Sequence, residues 1–246
     1  MLKVFNSISR NKEIFRPIDP EGKKVNIYGC GITVYDDCHI GHARTNSAID
    51  LIVRYLRFLN YDVYYARNIT DIDDKIIKKA LLRKTSFTAI VNEYTKKMHN
   101  AFAQLKLAKP NFEPKATDSI PAMIKFIQTL LDKKSAYITS SKDIYFKVAT
   151  CKEYGILSGQ KTESLNTGSR VRHSYEKSST LDFVLWKAAK QGEPSWDSPW
   201  GKGRPGWHTE CVVMILELFE NKLDIHAGGL DLKFPHHENE IAQFCS

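Results

Sequence analysis

Apolar residues follow two rhythms in the first part of the chain. Val25-Asn26-Ile27-Tyr28-Gly29-Cys30 is a short apolar run, and Tyr61 to Thr70 is rich in aromatic and β-branched residues. Both patterns predict strands. Between them Ala43 to Leu59 predicts a helix, with Ile49, Ile52, Val53, Leu56 and Leu59 at helical spacing. Ile76 to Met98 predicts more helix, broken near Thr85-Ser86. Strand, helix, strand and helix with short connections predict an α/β fold with a doubly wound parallel sheet.

The rhythm is lost over residues 110–200. Pro110, Pro114 and Pro121 punctuate a polar stretch, a helix is predicted over Ala122–Lys133, and Ile144–Val148 reads as a strand. Ser158 to Thr180 is rich in Ser, Thr and Lys without a period and is expected to be mobile. This block reads as an inserted α+β segment between 1–109 and 201–246. After it, Cys211 to Phe219 predicts a buried helix, Leu223 to His226 a short strand, and Pro235 to Ile241 the start of another helix with proline near its first position.

At 246 residues with 42% hydrophobic and 26% charged side chains, the chain is expected to fold as a globular protein. No run approaches the roughly 20 apolar residues of a membrane span. The first residues lack an apolar core of signal-peptide length, so a cytoplasmic location and no membrane partner are expected. Net charge is 36 − 28 = +8, which favours polyanionic partners such as RNA. Lys75, Lys78, Lys79, Arg83 and Lys84 gather in one predicted helix, but with Asp73 and Asp74 at its start the plain reading is a solvated helix. Five cysteines without a C-x-x-C pair argue against disulfides, zinc ribbons and thioredoxin-like redox motifs.

Two constellations carry chemistry. In the first, Cys38-His39-Ile40-Gly41-His42 sits between a strand and a helix. Free backbone N–H groups, the positive end of the helix and imidazole donors suit a phosphate chain. In the second, His236 and Glu240 are four residues apart on a predicted helix and share a face. They could clamp a cation with help from Cys30 or Cys211, since thiolate and imidazole suit zinc. On spacing alone, this is as well read as a surface ion pair and two inert core cysteines. His237-Glu238 does not open a metalloprotease motif, because the fifth residue is Ile241 rather than histidine. A dinucleotide-binding loop is excluded in the same way, with Val34 where the third glycine belongs.

The His-Ile-Gly-His tetrapeptide resembles the signature of class I aminoacyl-tRNA synthetases. Longer stretches narrow the likeness: Tyr28–Asp36, Cys38–Thr45, Arg67–Lys75, Gly203–Cys211 and Phe234–Gln243 resemble the N-terminal catalytic region of cysteinyl-tRNA synthetases, in that family's order. The resemblance implies a Rossmann-like, HIGH-type nucleotide-binding fold and zinc held by Cys30, Cys211, His236 and Glu240. It places the ATP phosphates on the catalytic pair His39 and His42, with Gly41, Gly229 and Asp231 completing the ATP site. Leu230 departs from the serine more often found before that aspartate. Gly31, Thr70, Trp207 and His226 would line the cysteine pocket, although taken alone Thr70, Trp207 and His226 are an ordinary strand-end threonine, a core tryptophan and a core histidine. Cys38, Cys151 and Cys245 match no ligand position and read as structural.

The implied reaction joins L-cysteine to AMP from ATP, with Mg²⁺ accompanying the nucleotide, and then transfers cysteine to tRNA(Cys). Zinc would recognise the thiolate, and a monomer is expected. The second signature of the class, Lys-Met-Ser-Lys-Ser, does not occur in these residues. Nor does the helical anticodon-binding domain, so the chain reads as a fragment of low activity by itself. Two alternatives stay open: a cysteine ligase with a small amine as acceptor, and a non-catalytic zinc-containing RNA-binding or interaction module.

Overall fold

The computed structural model describes residues 1–160 and 177–246. Much of the aperiodic Ser158–Thr180 stretch therefore lies outside the described residues. The chain forms two compact units. One comprises Arg16–Ser119 and Met214–Gly229, the other Met1–Phe15, Ile120–Val213 and Leu230–Ser246. No helix among the described residues is long and apolar enough to cross a membrane.

The first of these units is built on a three-stranded parallel sheet. β3 (Lys24–Thr33) lies between β4 (Asp62–Thr70) and β9 (Ile225–Ala227). Its apolar run is continuous because both faces are covered: Val25, Ile27, Tyr28, Cys30 and Ile32 are all buried. Helix α1 (Ile40–Phe58) buries Asn46, Ile49, Val53 and Leu56. It comes close enough to β3 that a Cβ on Gly29 would stand 3.2 Å from the Ile49 side chain. Helices α2 (Asp74–Leu82) and α3 (Phe87–Gln104) share one cluster with Ile32, Val34 and Ile69. Ile76, Ile90 and Met98 are almost wholly buried there, each such side chain contributing ~1.5–3 kcal/mol. The break foreseen at Thr85-Ser86 is a helix start, with the Ser86 hydroxyl accepting from Ala89 N–H at 3.1 Å. The alternating pattern thus yields the expected α/β architecture.

The second unit holds a four-stranded antiparallel sheet in the order β5 (Ala136–Ile138), β6 (Ile144–Phe146), β7 (Phe183–Ala188), β8 (Gly203–Pro205). Trp186 and Phe146 are buried there, and the Phe146 and Phe183 rings stack at 4.9 Å. Helix α4 (Ile120–Asp132) buries Ile120, Met123, Ile127 and Leu130. The hairpin β1 (Lys3–Asn6) and β2 (Asn11–Ile14) also belongs to this unit. Helix α5 (Trp207–Phe219) has its first half here and its second half in the other unit.

Several sequence expectations need correction. β1, β2, β5 and β8 give too little periodicity to be seen, being three or four residues long, with Asn11–Ile14 exposed throughout; β7 (Phe183–Ala188), six residues long, is also not foreseen. The strand expected at Ile144–Val148 ends at Phe146, and a 3₁₀ turn takes Val148–Thr150. The strand expected at Leu223–His226 starts at Ile225, because Asp224 spends both carboxylate oxygens on Ile18 and Asn26 N–H groups. The last helix does not begin at Pro235. Phe234 is extended (φ −140°, ψ 132°), the Phe234–Pro235 peptide is cis, and a wide π turn spans Lys233–His237 before α6 (Glu238–Phe244).

Candidate functional site

In the parallel-sheet unit, the chain leaves β3 and enters α1 through His39. That residue is the helix cap: its Nδ1 accepts from Gly41 N–H at 3.1 Å, while His42 Nδ1 accepts from His39 N–H at 3.2 Å. The two rings stack with centroids 3.8 Å apart. With each Nδ1 used as an acceptor, a neutral ring carries its proton on Nε2. The helix start therefore presents two imidazole N–H donors at the positive end of the helix, a combination that suits an anion. Gly41 is required by the cap, since a Cβ there would come within 2.8 Å of the His39 ring. Helix formation thus begins before Ala43, at Ile40, and takes Gly41 and His42 into its first turn.

The first turn is braced from below. Asn46 Nδ2 donates to the His42 carbonyl at 2.9 Å, and its Oδ1 lies 3.5 Å from buried Arg67. The Arg67 guanidinium covers the Phe102 ring at 4.5 Å and pairs with Glu113 at 2.6 Å. At the C-terminal ends of β3 and β4, Gly31 N–H donates to Asn68 Oδ1 at 2.7 Å, and Asn68 Nδ2 donates to Thr70 Oγ1 at 3.3 Å. Gly31 has no room for a side chain, because a Cβ would fall 1.6 Å from the Asn68 carbonyl oxygen. Beside it Cys30 Sγ lies 3.5 Å from His226 Nε2, and Tyr28 stacks on His226 at 5.6 Å. Cys30, Gly31, Thr70 and His226 are thus gathered at one end of this sheet. Buried Asp71 accepts from both the backbone and hydroxyl of Thr117, and burial raises its carboxyl above the usual range despite those bonds. Gly228 and Gly229 follow β9, half-buried.

In the other unit, α5, the π turn before α6 and α6 itself bring Cys211, His236 and Glu240 together. Each offers a donor atom within 4.8 Å of the others, and all three are buried. His236 Nε2 is 2.8 Å from Glu240 Oε1 and 3.7 Å from Cys211 Sγ. Burial works against a charge on His236, but Glu240 and Cys211 beside it together more than offset that and raise its pKa to about 10. His208 behaves in the opposite way: burial, then the charge of His236, pushes it down to about 3. Trp207 stacks on the His236 ring at 4.1 Å. Thiolate, imidazole and carboxylate in a water-poor setting are a donor set that fits zinc. Asp231 is exposed in a 3₁₀ turn, Leu230–Leu232.

The frame of these donors is polar and buried. The Glu238 carboxylate accepts from the N–H groups of Gly155, Leu157 and Ser158, at 3.0, 3.4 and 2.7 Å. The Tyr154 hydroxyl donates to Asn239 Oδ1 at 2.5 Å. Gln243 donates to the His208 carbonyl at 2.7 Å and accepts from Thr209 at 3.0 Å. Sequence reasoning missed Asn46, Arg67, Asn68, His208 and these supports. The available signal was polar residues at positions where a helix or central strand should be apolar.

With that geometry, the likeness to known proteins is informative. A profile of the tRNA synthetases class I (C) catalytic domain matches residues 16–246. The chain belongs to that family. It is 53% identical over 245 residues to the cysteine–tRNA ligase of Shewanella denitrificans, covering 100% of this chain and 53% of the relative. It is 55% identical over 239 residues to that of Francisella tularensis subsp. tularensis, covering 97% and 51%. The chain thus spans about half the length of the curated relatives it matches. Among solved structures, a Mycobacterium tuberculosis methionyl-tRNA synthetase in complex with methionyl-adenylate aligns over 90% of this chain and 55% of its own. The TM-score is 0.65 at 13% identity. A putative arginyl-tRNA synthetase of Campylobacter jejuni aligns over 90% and 51%, with TM-score 0.58 at 11% identity. These likenesses show the fold to be that of class I synthetases, consistent with a Rossmann-like sheet.

Proposed function

We propose that the chain is the catalytic part of a cysteine–tRNA ligase, activating L-cysteine with ATP and passing it to tRNA(Cys). The observation that carries this reading is the buried Cys211–His236–Glu240 donor set in a chain 53–55% identical to cysteine–tRNA ligases. Cys30 is proposed as the fourth zinc ligand on the strength of the family resemblance. Cysteine and serine differ by one atom, and shape separates such analogues poorly. When bound, zinc supplies a soft centre that prefers a thiolate to a neutral hydroxyl.

The chain's own residues carry the remaining work. His39 and His42 bind and orient the ATP phosphates, which enter with Mg²⁺, and Gly41 keeps that approach open. Gly229 and Asp231 serve the ribose. Gly31, Thr70, Trp207 and His226 hold the amino acid. The cysteine carboxylate attacks the α-phosphorus and pyrophosphate leaves; a terminal ribose hydroxyl of the tRNA then attacks the adenylate carbonyl and AMP leaves. Catalysis here is chiefly positioning and stabilisation of phosphate charge. We further propose that 110–200 is an insertion in the nucleotide-binding fold, that the enzyme works as a monomer, and that it acts in the cytoplasm.

The test is cysteine-dependent ATP–pyrophosphate exchange, run on the protein as the cell makes it, with serine as control and with Cys211→Ser. Exchange with cysteine alone, lost in Cys211→Ser, is expected. Equal activation of serine would sink the zinc-recognition account, and exchange with neither amino acid would sink the enzyme reading.

A further inference from the structure

We propose that His208 is a positioning residue for the metal ligand His236, accepting a hydrogen bond that leaves only the Nε2 of His236 to face a cation. The inference rests on the zinc reading above and names a residue that reading does not use. The His236 ring is held on three sides. Its face lies on Trp207, with centroids 4.1 Å apart and planes 20° from parallel. Its Nε2 faces Glu240 and Cys211. Its Nδ1 is 3.0 Å from Nδ1 of His208.

Two imidazole nitrogens at that distance need one proton between them: two would repel, and none would leave lone pairs facing each other. Glu240 beside His236 favours that ring as the carrier, so His236 Nδ1–H donates and His208 Nδ1 accepts. Metal-ligating histidines generally give their second N–H to such a partner, which fixes tautomer and ring angle. His208 is itself fixed. Gln243 holds its carbonyl, and its ring meets Phe183 edge-on at 5.5 Å. Gln243 also donates to the Asn239 carbonyl at 3.0 Å. These contacts join α5 to α6, the helices that carry Cys211 and Glu240, so His208 braces the donor set without being one of its members.

The experiment titrates the metal-free full chain with zinc against a chromophoric chelator, comparing wild type, His208→Ala, His208→Gln and Cys211→Ala. The Nδ1 proton of His236 is followed by NMR in the metal-free forms. Loss of an outer partner weakens metal binding ~10–100-fold, and that is expected for His208→Ala, together with loss of the Nδ1–H signal. His208→Gln keeps an acceptor and is expected within roughly threefold of wild type, with the signal retained. A His208→Ala affinity within that range would overturn the proposal. So would an equal loss in His208→Gln with the signal unchanged, since that would mark simple packing. If zinc binding is indifferent to Cys211→Ala, the metal reading fails instead, and the NMR signal still decides what His208 does to His236. Should His208→Ala not fold, the Gln variant and its signal remain decisive.

Discussion

The two ends of the proposed chemistry are built on opposite physical plans. His39 and His42 stand at an exposed helix cap, where polar groups retain contact with water and present N–H donors outward. Cys211, His236 and Glu240 are buried, and their charges compensate one another. A phosphate chain is itself strongly hydrated and must come and go, so its site can be open and need only offer donors. A metal that tells sulfur from oxygen must keep water from competing, so its ligands are drawn into the interior and anchored there. The lesson is that the open site is carried by local sequence, a cap and one turn, whereas the buried site depends on a frame of distant polar residues.

The largest expected effect comes from breaking the buried site directly. Glu240→Ala leaves a buried imidazole and thiol without their carboxylate and should lower zinc affinity by more than the ~100-fold that bounds outer partners. Chelator competition measures it, and a loss under tenfold would mean that Glu240 is not a ligand. Next is Gly31→Ala. Its methyl would fall 1.6 Å from the Asn68 carbonyl oxygen, a backbone atom that cannot swing aside. Overpacking of that kind costs about 3 kcal/mol, the upper end of its usual range, read as a lower urea midpoint at unchanged slope. Close behind is Glu238→Ala, which strands three backbone N–H groups around Gly155–Ser158. About 3 kcal/mol is expected, with faster amide exchange at those residues, while exchange at 39–43 stays as in wild type.

These contrasts show what could be read from residues alone. The parallel half was legible because its strands are continuous apolar runs and its helices keep a 3.6 period: α1 runs Ile40–Phe58 against an expectation of Ala43–Leu59. The antiparallel half was not. Gly203–Pro205 is three residues long, and its place in the sheet is set by pairing with Trp186–Ala188, which no local pattern announces. The open site could be proposed from sequence because His39–His42 stand together, although the cap that His39 makes and the helix start at Ile40 were not foreseen. The proposed metal donors needed family resemblance, because Cys211 and His236 are distant in sequence and the spacing of His236 and Glu240 is equally that of a surface pair. His208 was invisible for the same reason: nothing local says that its nitrogen meets another imidazole.

The open site should respond in the reverse manner, losing function while keeping stability. In Gly41→Ala the added methyl meets the far edge of the His39 ring, a side chain that can swing into solvent. Only the cap is then lost, worth ~1 kcal/mol, so the urea midpoint moves little. The displaced ring no longer directs its donor at the helix start, and nucleotide affinity should fall about tenfold, the equivalent of one lost charge-assisted hydrogen bond. A variant that unfolded readily yet bound nucleotide normally would reverse the comparison. The smallest effect belongs to a surface control in the same unit. Glu93→Gln removes the Arg83 and Lys97 pairs at 2.8 and 3.2 Å, but those cations are about half exposed. Water already screens such charges, so the urea midpoint should stay where it is in wild type, with nucleotide and zinc affinities unaltered. If this exposed pair proved as costly as Glu238, burial would not be what separates the two plans, and the compensation of charge alone would have to explain both.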